Sequence, residues 1–84
     1  MTGFREEITA LDRELVAIVN RRLEIVRRLH DHKLANNIPL RDLGREDAMR
    51  ALLTGENRGP LSEQGVNDLY TFVLDITRQE LHGE

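Results

Sequence analysis

FREEITALDRELVAIVNRRLEIVRRLHDHKL, residues 4–34, is the stretch that decides how this chain folds. Its apolar residues Phe4, Ile8, Leu11, Leu15, Ile18, Ile25 and Leu29 recur in steps of three and four or their sum, the period of one helix face. No proline interrupts it and no glycine follows Gly3. The spacing therefore predicts one amphipathic helix from about Thr2 to Leu34, roughly 45 Å long at 1.5 Å per residue.

Beyond it, NNIPLRDLG (residues 36–44) breaks the helix with a proline and two asparagines. Asp42 is placed to cap a second, shorter helix from about Leu43 to Thr54. GENRGP (residues 55–60) is a loop, after which Ser62 caps a third helix and Leu61 and Val66 occupy the two positions of a hydrophobic staple. That helix runs to about Leu81 on Val66, Leu69, Tyr70, Val73, Ile76 and Thr77. Strand-like alternation is absent. The reading is an all-α chain, one domain over residues 1–84, with one long, one short and one medium helix.

The lengths predict more. Partners of roughly 15 and 30 Å that must also turn corners cannot cover a helix of about 45 Å, so the long apolar stripe stays partly wet in a monomer. A second copy of the long helix alongside the first is the simplest cover. Size points the same way: 84 residues lie near the limit for one core, and without cysteine no disulfide can compensate. The expectation is an intertwined homodimeric helical bundle.

Composition narrows the partners. Net charge is −3 with both signs interleaved, and the aromatics are Phe4, Tyr70 and Phe72, so no basic stripe or stacking platform invites nucleic acid. No segment reads as a membrane span or signal peptide, which gives a cytoplasmic expectation. His30 and His32 point to different faces of the long helix, so no metal is expected.

Two cations break the apolar stripe. Positions 8, 15, 22 and 29 share one heptad phase, and position 22 is Arg22. Lys33 lies eleven residues on, about 20° away around the helix. Buried cations are rarely left unpaired, so the plain alternative is a salt bridge across the bundle. Arg21, Arg27 and Arg28 lie on other faces as ordinary solvated charge. RDLGRED (residues 41–47) puts Arg45 and Glu46 in the first turn of the second helix, where a cation opposes the helix dipole and an acid suits it. Arg5 opens the long helix, seventeen residues before Arg22, or roughly 25 Å. If both serve one small ligand, Arg5 must come from the other copy of an antiparallel pair.

Arginines and a lysine converging in an apolar bundle suit a small polyanion, because the guanidinium fork matches carboxylate geometry. No cysteine nucleophile, histidine base for Ser62 or glycine-rich phosphate loop is evident. What remains is chemistry that needs positioning and electrostatics, with no cofactor.

The same residues carry a family resemblance. FREEITALDRELVAIVNRR, Lys33 and IPLRDLGRE resemble the signature of the all-helical chorismate mutases, without gaps from Arg5 to Glu46, and GPLS with the third helix extends the likeness over almost the whole chain. The resemblance implies rearrangement of chorismate to prephenate. In it Arg22, with Arg5 from the other copy, holds the substrate carboxylates. Lys33 faces the ether oxygen and Arg45 adds positive potential. Glu46 and the region of Asp42 receive the ring hydroxyl, and Thr77 stands where the family often has a serine touching a carboxylate. One position departs: a glutamine that would face the ether oxygen is replaced by Leu81, with Gln79, or Glu80 in its protonated form, as a neighbour able to take the role. The family's small members that act with a DAHP synthase make such a partner an expectation here. The competing readings are a module sensing chorismate or prephenate, and a related mutase or lyase acting on 4-amino-4-deoxychorismate or isochorismate.

Overall fold

The structure, a computed structural model, describes residues 2–82; Met1, Gly83 and Glu84, the ends of the expected domain, lie outside the described residues. Three helices make up the fold: α1 (Thr2–Ala35), α2 (Leu43–Glu56) and α3 (Glu63–His82), with no strand among the described residues. α1 has 34 residues, about 51 Å at the helical rise, and sets the longest dimension of the chain, 54 Å.

The stops and starts are local chemistry. α1 ends because Asn37 takes a left-handed backbone (φ 56), which asparagine tolerates better than most residues. That turn sends the Ile38 amide back to the Lys33 carbonyl at 2.8 Å and the Asn37 amide to the Leu34 carbonyl at 3.3 Å, satisfying acceptors the helix end leaves open. Asp42 then caps α2 as its sequence position predicts: its carboxylate accepts the Arg45 amide at 3.0 Å and its carbonyl accepts the Glu46 amide at 3.2 Å. α2 runs two residues past the expected Thr54, to Glu56. The stop is Asn57, not Gly55. The Asn57 amide closes onto the Leu53 carbonyl, and its side chain donates to the Leu61 carbonyl at 2.7 Å while accepting from the Gly59 amide.

α3 starts at the expected cap, with Ser62 Oγ accepting the Gly65 amide at 3.0 Å. Leu61 folds back over this first turn so closely that a Cβ on residue 65 would stand 2.5 Å from its Cδ1, and the space a glycine leaves there is filled by leucine. α3 packs against both α1 and α2, whose backbones do not meet. Arg50 strengthens the α2–α3 seam, donating to the Asn67 carbonyl at 3.1 Å with its guanidinium 5.2 Å from the Tyr70 ring centre.

The single chain has almost no core. Val66 and Thr77 are the only buried residues among those described. Phe4, Ile8, Leu11, Leu15 and Ile18 each expose half or more of their surface, so the stripe that formed α1 is left open to water along its N-terminal half. Among the described residues no helix is long and apolar enough to cross a membrane.

Candidate active site

A cavity of about 870 Å³ opens between the C-terminal half of α1, the α1–α2 turn, α2 and α3. Its floor is aliphatic and aromatic, with Val26, Leu29, Met49, Val66 and Tyr70 among its walls. The charges around that floor are unequal. Arg22, Lys33, Arg41, Arg45 and Arg78 supply five cations against the three carboxylates of Asp42, Glu46 and Glu56 and that of Asp75, which pairs with Arg78, so positive charge remains in excess by one on a chain whose net charge is −3. An apolar pocket with an excess of fixed cations is built for a small dianion.

The half-buried Arg22 reaches from α1 to α3, where its Nη1 donates to Thr77 Oγ1 at 2.7 Å. The Thr77 hydroxyl spends its own proton on the Val73 carbonyl, also at 2.7 Å, which leaves its lone pairs for the guanidinium. Within the chain a salt bridge, the plain alternative for this arginine, is not what holds it: Arg22 has no carboxylate partner among the described residues. The Lys33 ammonium donates to the Leu40 carbonyl at 3.3 Å, and the Lys33 carbonyl accepts the Ile38 amide, so one residue ties both sides of the α1–α2 turn. Both stripe cations thus have neutral hydrogen-bond partners within the chain.

The α2 start supplies the other side. The Asp42 cap sets the first turn from which Arg45 and Glu46 project. Arg41, just before the cap, grips Glu46 with Nε on Oε2 at 3.3 Å and Nη2 on Oε1 at 3.4 Å. On α3, Arg78 is paired with Asp75 at 2.6 Å.

Six of the residues singled out in the sequence therefore meet around one cavity: Arg22, Lys33, Asp42, Arg45, Glu46 and Thr77. Arg5, Glu80 and Leu81 do not line it, and neither does Gln79. Arg5 is exposed near the far end of α1, with Arg22 between it and the cavity's other α1 residues. Sequence reasoning passed over Arg41, Tyr70 and Arg78. Arg41 lay inside a quoted motif but in a loop, where periodicity carries no signal. Arg78 follows Thr77 on α3 and also lines the cavity. Among the described residues there is no group of three or more His, Cys, Asp or Glu side chains placed to hold a metal ion.

Known proteins give the same outline. The family model for chorismate mutase type II matches residues 4–81. Two structures of the chorismate mutase from Thermus thermophilus, forms I and II, superpose with a TM-score of 0.87 at 25% identity, covering 90% of this chain and 95% and 86% of theirs. A bifunctional chorismate mutase/prephenate dehydratase from Buchnera aphidicola (subsp. Schizaphis graminum) is 26% identical over 85 residues, which span 96% of this chain but only 22% of that relative. With a family match over all but six of its 84 residues, this three-helix chain belongs to the chorismate mutase type II family.

Proposed function

We propose that this chain is a chorismate mutase, an isomerase converting chorismate to prephenate without a cofactor, in the cytoplasm, on the route to aromatic amino acids. The observation that carries the reading is the excess of positive charge around an apolar cavity, with Arg22 and Lys33 held by neutral partners. Chorismate is a dicarboxylate whose rearrangement breaks an ether carbon–oxygen bond as a carbon–carbon bond forms, with no nucleophile and no proton transfer. The protein has two tasks: hold the chain in the compact pericyclic conformer, and stabilise the negative charge that grows on the ether oxygen.

In this reading the Arg22 guanidinium, aimed by Thr77, takes a carboxylate in a forked hydrogen bond. Lys33, anchored on the Leu40 carbonyl, donates to the ether oxygen, where its bond strengthens as charge develops. Arg45 adds positive potential, and Glu46, beside Asp42, accepts the ring hydroxyl. The protein works as an antiparallel homodimer. The wet α1 stripe pairs with its copy, and Arg5 of one subunit reaches the cavity of the other, which explains why it lies outside its own. In this reading Glu46 calls for a ring substituent that donates a hydrogen bond, as the 4-hydroxyl of chorismate does. The decisive assay follows the ultraviolet absorbance of chorismate, alone and with a DAHP synthase. Loss of absorbance with formation of prephenate is the expected result, and binding of chorismate with no turnover in either arm would instead establish the sensing module.

A DAHP synthase partner has one observation in its favour. Leu81, Glu80 and Gln79 all stand outside the cavity, so the end of α3 supplies no second donor to the ether oxygen in the isolated chain. A partner that shifts this helix end would raise turnover.

A further inference from the structure

We propose that Arg41 is a positioning residue for Glu46, and that through this contact it sets the preference for a substrate whose ring substituent donates a hydrogen bond; the inference rests on the chorismate mutase reading above. Both residues line the cavity, and the Arg41 fork reaches both carboxylate oxygens, at 3.3 and 3.4 Å. A lone glutamate has three side-chain rotors and could swing to water. Two parallel contacts from one rigid guanidinium fix where its oxygens point. Each carboxylate oxygen offers two acceptor sites, and the fork takes one on each, leaving the others for a hydroxyl. The pair is also unevenly placed: the Glu46 side chain is 18% exposed, while that of Arg41 is 58% exposed. The carboxylate is inside and the cation grips it from the rim.

A rim ion pair of this exposure adds little to stability, so its value lies in geometry. The Asp42 cap makes that geometry stiff. By accepting the amides of Arg45 and Glu46 from the position next to Arg41, it fixes the backbone at both ends of the grip. Arg41 also carries three N–H groups that Glu46 does not use, so direct contact with a substrate carboxylate is the rival account.

A double-mutant cycle on the full chain separates the two. Arg41→Ala is expected to lower kcat/KM for chorismate about ten- to hundredfold, as small misplacements of a contact group do, with the melting midpoint and dimer mass unchanged. In a Glu46→Ala background the same change is expected to do nothing further, and Arg41→Lys, a point charge without the fork, to fall between. A chorismate analogue with hydrogen in place of the ring hydroxyl should be turned over equally by wild type and Arg41→Ala. Additive losses in the double mutant, an analogue as sensitive as chorismate, a lowered melting midpoint that accounts for the loss, or an Arg41→Ala chain as active as wild type would each overturn the proposal. A wild-type chain that consumes no chorismate overturns the functional reading and this inference together; an active wild type with an indifferent Arg41 overturns this inference alone.

Discussion

Arg22 on α1 and Thr77 on α3 are joined by a 2.7 Å hydrogen bond in which the threonine, one of the two buried residues among those described, acts as an acceptor fixed by its own bond to Val73. The hydroxyl therefore orients a cation and pins the two helices that form opposite walls of the cavity. Thr77→Val keeps the shape and removes the acceptor. It should cost about 1–3 kcal/mol of stability, the usual penalty for stripping a partner from a buried polar group, and lower kcat/KM in parallel. Thr77→Ser should retain most of both. Denaturant midpoints and steady-state kinetics on the two variants check this.

The charge excess of the cavity makes Arg22 and Lys33 the residues whose loss matters most. Arg22→Ala and Lys33→Ala are each expected to reduce kcat about a hundredfold or more, roughly 3 kcal/mol of transition-state stabilisation, while leaving the fold intact. Arg27→Ala, on an exposed face of the same helix, serves as the control and should stay near wild type. Circular dichroism beside the kinetics separates chemistry from unfolding. An Arg22→Ala protein that unfolds yet keeps its activity per folded molecule would make Arg22 a structural residue.

Arg5 gives a test of the shared site that needs no structure. Arg5→Ala and Arg22→Ala should each be nearly inactive alone. If both were refolded together and paired at random, half the dimers would be mixed, and each mixed dimer would rebuild one intact site of two. About a quarter of wild-type activity should return. No recovery on mixing would mean that Arg5 and Arg22 do not meet across subunits.

The end of α3 is expected to be silent in the isolated protein. Leu81, Glu80 and Gln79 do not line the cavity, so Leu81→Gln and Glu80→Gln should each leave turnover within about twofold, since a donor gains nothing unless it reaches the reacting oxygen. A marked rise in turnover for Leu81→Gln would place residue 81 at the ether oxygen after all. Repeating the assay with a DAHP synthase would register a partner that draws this helix end inward.

Periodicity and capping made most of the fold readable in advance. The α1 stripe, the Asp42 cap and the Ser62 cap all lie where their residue types place them, because each is set by neighbours within four positions. The end of α2 lies beyond Gly55, which looks like a stop; the stop is made by Asn57 bonding to Leu53, Gly59 and Leu61. Although those partners are as close in sequence as a cap's, an asparagine within a Gly- and Pro-containing loop is not marked out from its neighbours as Asp42 and Ser62 are ahead of their helices. For the cavity, cations out of phase with burial were legible, which is why Arg22 and Lys33 stood out. Arg41 and Arg78 were not: Arg41 sits in a loop, where periodicity carries no signal, and Arg78 pairs with Asp75 three positions back, a spacing that reads as ordinary helix-surface charge.

The exposed stripe of α1 also bears on how the protein behaves when diluted. With only Val66 and Thr77 buried among the described residues, a lone chain has little apolar surface with which to oppose its conformational entropy, and in the proposed dimer folding and association become one bimolecular reaction. Its stability is then a function of concentration. Each tenfold dilution removes about 1.4 kcal/mol, the melting temperature falls with it, and below some threshold the same molecules are at once monomeric, unfolded and inactive. For a cell, the amount of this protein and its state of folding would then be a single variable, so reduced synthesis would extinguish activity more steeply than in proportion.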